Sequence, residues 1–150
     1  MEGAAFKASK TWILRVDIDE DVLECVEGFI RENSIKQGYV AAGYGTLKAA
    51  SLHWVCHNRL PTDNLFSELE GGIEILSMNG IIAEGQSHIH VSLATPVGAF
   101  GGHLEGGTKA YVLCEIVLVE LEGPEMKRTR VEVGRGEDGK SVSVPRLIFA

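Results

Sequence analysis

Ser87–Leu93 reads as a strand, and its two histidines, His88 and His90, stand two residues apart, so both imidazoles leave the same face. Thr95-Pro96-Val97-Gly98 reads as the turn that follows, with φ fixed at the proline and free at the glycine. A hairpin symmetric about the Pro96–Val97 bond pairs Leu93 with Phe100 and sets His90 opposite His103. Directly opposed residues on one face lie about 4.5–5.5 Å apart at Cβ. Three neutral imidazoles converging at that range can hold one divalent metal and leave a coordination position open. Two alternatives compete: a bulge at Gly101-Gly102 that shifts the register by one, and plain polar residues on a solvent-facing strand. The third histidine, brought in by the hairpin, favours the metal reading on ligand type and spacing.

A chain of 150 residues suits a single domain, 1–150, with a core at 11–121 and a C-terminal extension at 122–150. No apolar run approaches the roughly 20 residues that span a bilayer. The first ten residues lack the apolar core of a signal peptide, so the expectation is a cytoplasmic protein without membrane contact. Cys25, Cys56 and Cys114 are widely spaced and odd in number, which reads as reduced thiols rather than a disulfide framework. A net charge of −7 opposes a long polyanion, because nonspecific nucleic-acid affinity comes from Lys and Arg on phosphates.

Thr11–Asp17 alternates as a first strand, and Asp19 is placed to cap the helix that follows. Val22, Val26, Phe29 and Ile30 form its apolar stripe, Glu24, Glu27 and Arg31 face out, and Asn33-Ser34 ends it. Tyr39–Leu47 and Ser51–His57 read as strands, with His53 and His57 assigned to solvent or a subunit interface. Residues 58–67 read as a surface loop, Ile73–Ile82 as a strand buried on much of both faces, and Ala110–Leu121 as a central strand. Glu74 and Glu115 are polar exceptions inside these strands. Glu74 is either a surface carboxylate or one that orients an imidazole. Glu115, counted back across Gly106-Gly107, falls near Gly98 at the mouth of the hairpin. Lys127, Arg128 and Arg130 form a basic cluster, Arg135-Gly136 is followed by acids and makes no AT-hook, and Val142–Phe149 is apolar enough to dock, on another subunit for instance.

Glu74-Ile75-Leu76-Ser77-x-x-Gly80, His88-x-His90 and Gly101-Gly102-His103-Leu104 together resemble the PPC ("plant and prokaryote conserved") domain family. Gly43-x-Gly45-Thr46-Leu47, Gly98 and Cys114-Glu115-Ile116 extend the likeness over most of the chain. The resemblance implies a stand-alone prokaryotic type of unknown function, often labelled DNA-binding, and a homotrimer. It also implies a fold shared with acetolactate decarboxylases, which hold zinc through three histidines that correspond by position to His88, His90 and His103. Many members carry an arginine where Arg15 stands, which allows an anion-binding role there.

The expected architecture is α+β, a curved and mostly antiparallel sheet with one main helix, similar to the acetolactate decarboxylase-like fold. The expected function is a homotrimer binding a divalent metal, zinc by ligand type, with activity on a small molecule and with Glu74, Glu115 and Arg15 as catalytic candidates. The competing reading is a DNA-associated regulatory or protein-interaction module, with direct DNA binding disfavoured by the net charge.

Overall fold

The computed structural model describes residues 1–136 and 138–150. In chain order the elements are β1 (Lys7–Arg15), α1 (Val22–Glu32), β2 (Gly38–Val55), β3 (Asn64–Ala83), β4 (Gln86–Thr95), β5 (Gly98–Leu104), β6 (Lys109–Glu122), β7 (Met126–Arg135) and β8 (Ser141–Phe149). Six strands form one antiparallel sheet in the order β1-β6-β2-β3-β4-β5, and a further pairing of β2 with β5 closes β2, β3, β4 and β5 into a ring. The strands β7 and β8 form a separate hairpin. No helix among the described residues is long and apolar enough to cross a membrane.

Alternation decides which way the ring faces. Ile89, Val91 and Leu93 of β4 are buried with Ile73, Ile75 and Met78 of β3, so His88, His90 and Ser92 take the opposite face. Helix α1 covers the core through Val22, Val26 and Ile30, each worth about 1.5–3 kcal/mol of burial. Its carboxylate Glu27 accepts both the backbone N–H and the hydroxyl of Ser87, at 3.0 and 2.5 Å, which ties the start of the histidine strand to the helix. The expectation that Glu27 faces solvent is therefore corrected.

The cap is also corrected, by two residues. Asp21, not Asp19, is the N-cap: its Oδ1 accepts the N–H of Glu24 at 3.1 Å and its Oδ2 the N–H of Gly107 at 2.6 Å. Asp19 precedes it with φ 70° in the approach turn. Tyr39–Leu47 and Ser51–His57 merge into the single strand β2, which β3 follows along both halves. The expected loop at 58–67 is shorter, because Asn64–Ser67 already pairs with Leu52–Val55. The apolar end of the chain docks within its own chain, as β8 on β7.

The ring leaves no room beside β4. A Cβ on Gly80 would lie 2.3 Å from the carbonyl oxygen of His88 and 2.9 Å from Ile89 Cα, both backbone atoms held in the sheet. Gly80→Ala is therefore expected to lower the melting temperature by at least about 2–4 °C, the equivalent of about 1 kcal/mol in a chain of this size. Gly72→Ala, which meets nothing within 4 Å, is the matched control, and equal melting temperatures for the two variants would contradict the packing described.

Candidate metal centre

The hairpin β4–β5 pairs Leu93 with Phe100 and His90 with His103, with Gly101 and Gly102 in register opposite Ser92 and Val91. The bulge alternative is absent. Gly101 lets the strands approach, since a Cβ there would lie 2.4 Å from the Val91 carbonyl oxygen. The indole N–H of Trp54 donates to the Gly101 carbonyl and pins β5 to β2.

These pairings draw His88, His90 and His103 together. Their ligand nitrogens lie within 4.8 Å of one another, and the Nε2 atoms of His88 and His90 face each other at 3.2 Å. Two nitrogens on a tetrahedral ion, each about 2.0–2.1 Å from it, stand about 3.3 Å apart. The ring of His103 closes on His88 at 4.5 Å and on His90 at 5.4 Å, nearly perpendicular to both. The cluster opens on a cleft of about 580 Å³ that Trp54, Asn79 and Ser92 also line.

The environment disfavours charge on two of the rings, His103 and His88. Burial, then the neighbouring His88 and His53, holds His103 down to about 4. Burial, then the Arg128 guanidinium, lowers His88. Metal ligation requires neutral imidazole, so the same forces that oppose protonation keep the donors ready.

A fourth histidine joins them. His53 of β2 pairs directly with His103, and their rings lie 4.4 Å apart. Its Nδ1 lies 2.5 Å from the Glu105 carboxylate, which accepts the N–H and so leaves Nε2 as the free acceptor. His53, His103 and Glu105 form a second group whose ligand atoms also lie within 4.8 Å of one another. Neither His53 nor Glu105 is evident from spacing along the chain. The strict alternation of Ser51–His57 signals a strand, but only the pairing of β2 with β5 carries His53 to the cluster. His57 goes elsewhere, beyond the end of β2, with its Nε2 3.2 Å from Asp63.

The three catalytic candidates lie away from this cluster in the chain. Glu74 is exposed opposite Thr46 and Ala94, five residues along β3 from Asn79 and so about 16 Å away. Glu115 lies on β6 between Arg15 and Tyr44 and accepts the Tyr44 hydroxyl. It is not near Gly98, which pairs with Thr95, because among the described residues β6 pairs with β1 and β2 and not with β5. Arg15 turns to Asp17, with Nε 2.7 Å from its carboxylate. Of the two readings of Glu74 the surface carboxylate fits its exposure, and the carboxylate that meets an imidazole is Glu105, on His53.

Solved structures share this fold. A plant- and prokaryote-conserved (PPC) protein from Pyrococcus horikoshii is 26% identical, with 96% of this chain and 97% of that one covered at a TM-score of 0.76. A metal-containing protein from Archaeoglobus fulgidus is 24% identical, with 96% and 99% covered at 0.72. At the level of fold alone, so does a Staphylococcus aureus protein of unknown function similar to alpha-acetolactate decarboxylase, 18% identical, with 75% and 53% covered at 0.51. The bifunctional protein GlmU of a Synechococcus strain is 30% identical over 122 residues, which make up 81% of this chain but 18% of that protein, so the chain spans less than a fifth of the curated relative. A model of the Plants and Prokaryotes Conserved (PCC) domain matches residues 3–122, and the chain belongs to that family.

Proposed function

We propose that this protein is a homotrimer that binds a divalent metal, zinc by its all-nitrogen ligand set, through His88, His90 and His103, and presents the open coordination position to a small molecule. The observation that carries the reading is the convergence of three imidazoles with two Nε2 atoms 3.2 Å apart. Without an ion, one of those nitrogens must donate to the other at all times. With one, both lone pairs and that of His103 are used. That the Archaeoglobus fulgidus relative is described as metal-containing supports the same reading. A bound divalent ion polarises a carbonyl or lowers the pKa of bound water. The chain's own part is to hold His88 and His103 neutral, to orient His53 through Glu105, and to wall the cleft with Trp54 and Asn79.

Support for assembly comes from the outer face of the sheet. Ile13, Tyr44, Leu76 and Val112 are exposed on β1, β2, β3 and β6, with Val112 at 75% and Ile13 at 78%. The strands that carry Tyr44, Leu76 and Val112 are adjacent, so these side chains make a common apolar patch that a second copy can cover. Direct DNA binding has less behind it. Lys127 reaches Glu125 at 2.8 Å and Arg130 bonds Ser143, so two of the three basic residues are engaged internally, and Arg128 spends part of its donors on two backbone carbonyls.

Protein purified without an affinity tag is expected to carry about one metal per chain by elemental analysis. His88→Ala and His103→Ala should each lose it, and His53→Ala should keep it. Equal metal in all four proteins contradicts the site, and loss in His53→Ala with retention in His88→Ala moves the ion to the group of His53, His103 and Glu105. Sedimentation analysis should give three times the chain mass of 16.2 kDa, and Val112→Asp should reduce it to one. A wild-type monomer at micromolar concentration contradicts the assembly.

A further inference from the structure

The hairpin of β7 and β8 lies beyond the residues matched by the family model, yet it borders the histidine face. Its Arg128 crosses to the turn between β3 and β4, where one terminal nitrogen donates to the Ile81 carbonyl at 2.8 Å and the other to the Gln86 carbonyl at 3.2 Å. Across β8, Leu147 pairs with Arg128, and Pro145 lies two residues before it. Together with Asn79, His88 and His90 these residues line a pocket of about 300 Å³, separate from the larger cleft but sharing its imidazoles.

The guanidinium in this wall has unmet demand. It has five N–H donors, and these two bonds use two of them on neutral carbonyls. Among the described residues it makes no ion pair with a carboxylate. The Glu84 carboxylate accepts the backbone N–H of Arg128 at 2.9 Å rather than a side-chain hydrogen. Burial pushes the Arg128 pKa below its ordinary value. A half-buried guanidinium of this kind gains most from a planar anion that takes two donors at once. The rest of the wall is apolar, from Ile81, Pro145 and Leu147.

We infer that this pocket binds a small monocarboxylate with a short apolar chain, its carboxylate on Arg128 beside His88 and His90 and its chain against Pro145 and Leu147. The inference rests on the metal reading above and names the class of molecule that shares the site. Arg128 is then a binding residue, and the C-terminal hairpin sets specificity.

The test uses full-length protein loaded with cobalt(II), whose visible spectrum reports a change of ligand at the open position. Butyrate is expected to shift the wild-type spectrum saturably. Arg128→Gln should weaken butyrate by at least about tenfold with cobalt content unchanged, and Arg128→Lys should recover part of the loss. Leu147→Gln, which leaves the arginine in place, should weaken butyrate but not formate. Butyrate bound equally by wild type and Arg128→Gln overturns the inference, and phosphate bound as tightly as butyrate overturns its carboxylate class. If wild type takes up no cobalt, the metal reading fails separately. Calorimetry on the metal-free protein then reads the pocket alone: butyrate binding lost in Arg128→Gln keeps the anion site, and no heat in wild type removes it.

Discussion

One row of cross-strand pairs holds the rest of the structure's chemistry in place. His53 on β2 pairs with His103 on β5, His103 with His90 on β4, and His90 with Asn79 on β3. The row crosses all four strands of the closed ring, and the period of two puts its side chains on the face away from Ile89, Val91 and Leu93. A slip of one residue would bury the imidazoles and expose those three apolar side chains, so the hydrophobic core sets the register of the site. Closure through β2 and β5 removes the free edge that would otherwise let the hairpin shift.

The row is costly to charge. With His88 beside it the row brings four imidazoles close together over a partly desolvated face, where burial first and then neighbouring charges lower His103 and His88. His103, at the centre, responds most, being held down to about 4. A divalent ion held there would take up the converging lone pairs of rings that are costly to protonate. Glu105 and Arg128 bound the row at its two sides with opposite charge, one orienting His53 and the other standing by His88. The fold thus offers a histidine group that could hold a metal, with an acidic flank and a basic flank.

Much of this was legible from local sequence, and the remainder from no local pattern. Ser87–Leu104 is a hairpin with a proline turn, so its register and the meeting of His88, His90 and His103 follow from counting outward. The helix was legible for the same reason, since Val22, Val26 and Ile30 recur at helical spacing. Its cap was misplaced because Asp19 and Asp21 offer the same chemistry, and the Gly107 N–H that selects Asp21 lies 86 residues away. His53 and Glu105 escaped because a pairing between β2 and β5 spans about a third of the chain and leaves no periodic trace. Glu115 was misplaced by assuming that β6 returns along β5, whereas it inserts between β1 and β2. In residues 126–149 charge and glycine obscured two strands that are stabilised chiefly by each other.

The most direct test of the central claim is an anomalous difference map at the zinc edge from crystals of untagged protein. The account predicts a single peak about 2.0–2.1 Å from Nε2 of both His88 and His90 and from one nitrogen of His103. A peak between His53 and Glu105, or none at any of these imidazoles, would contradict it.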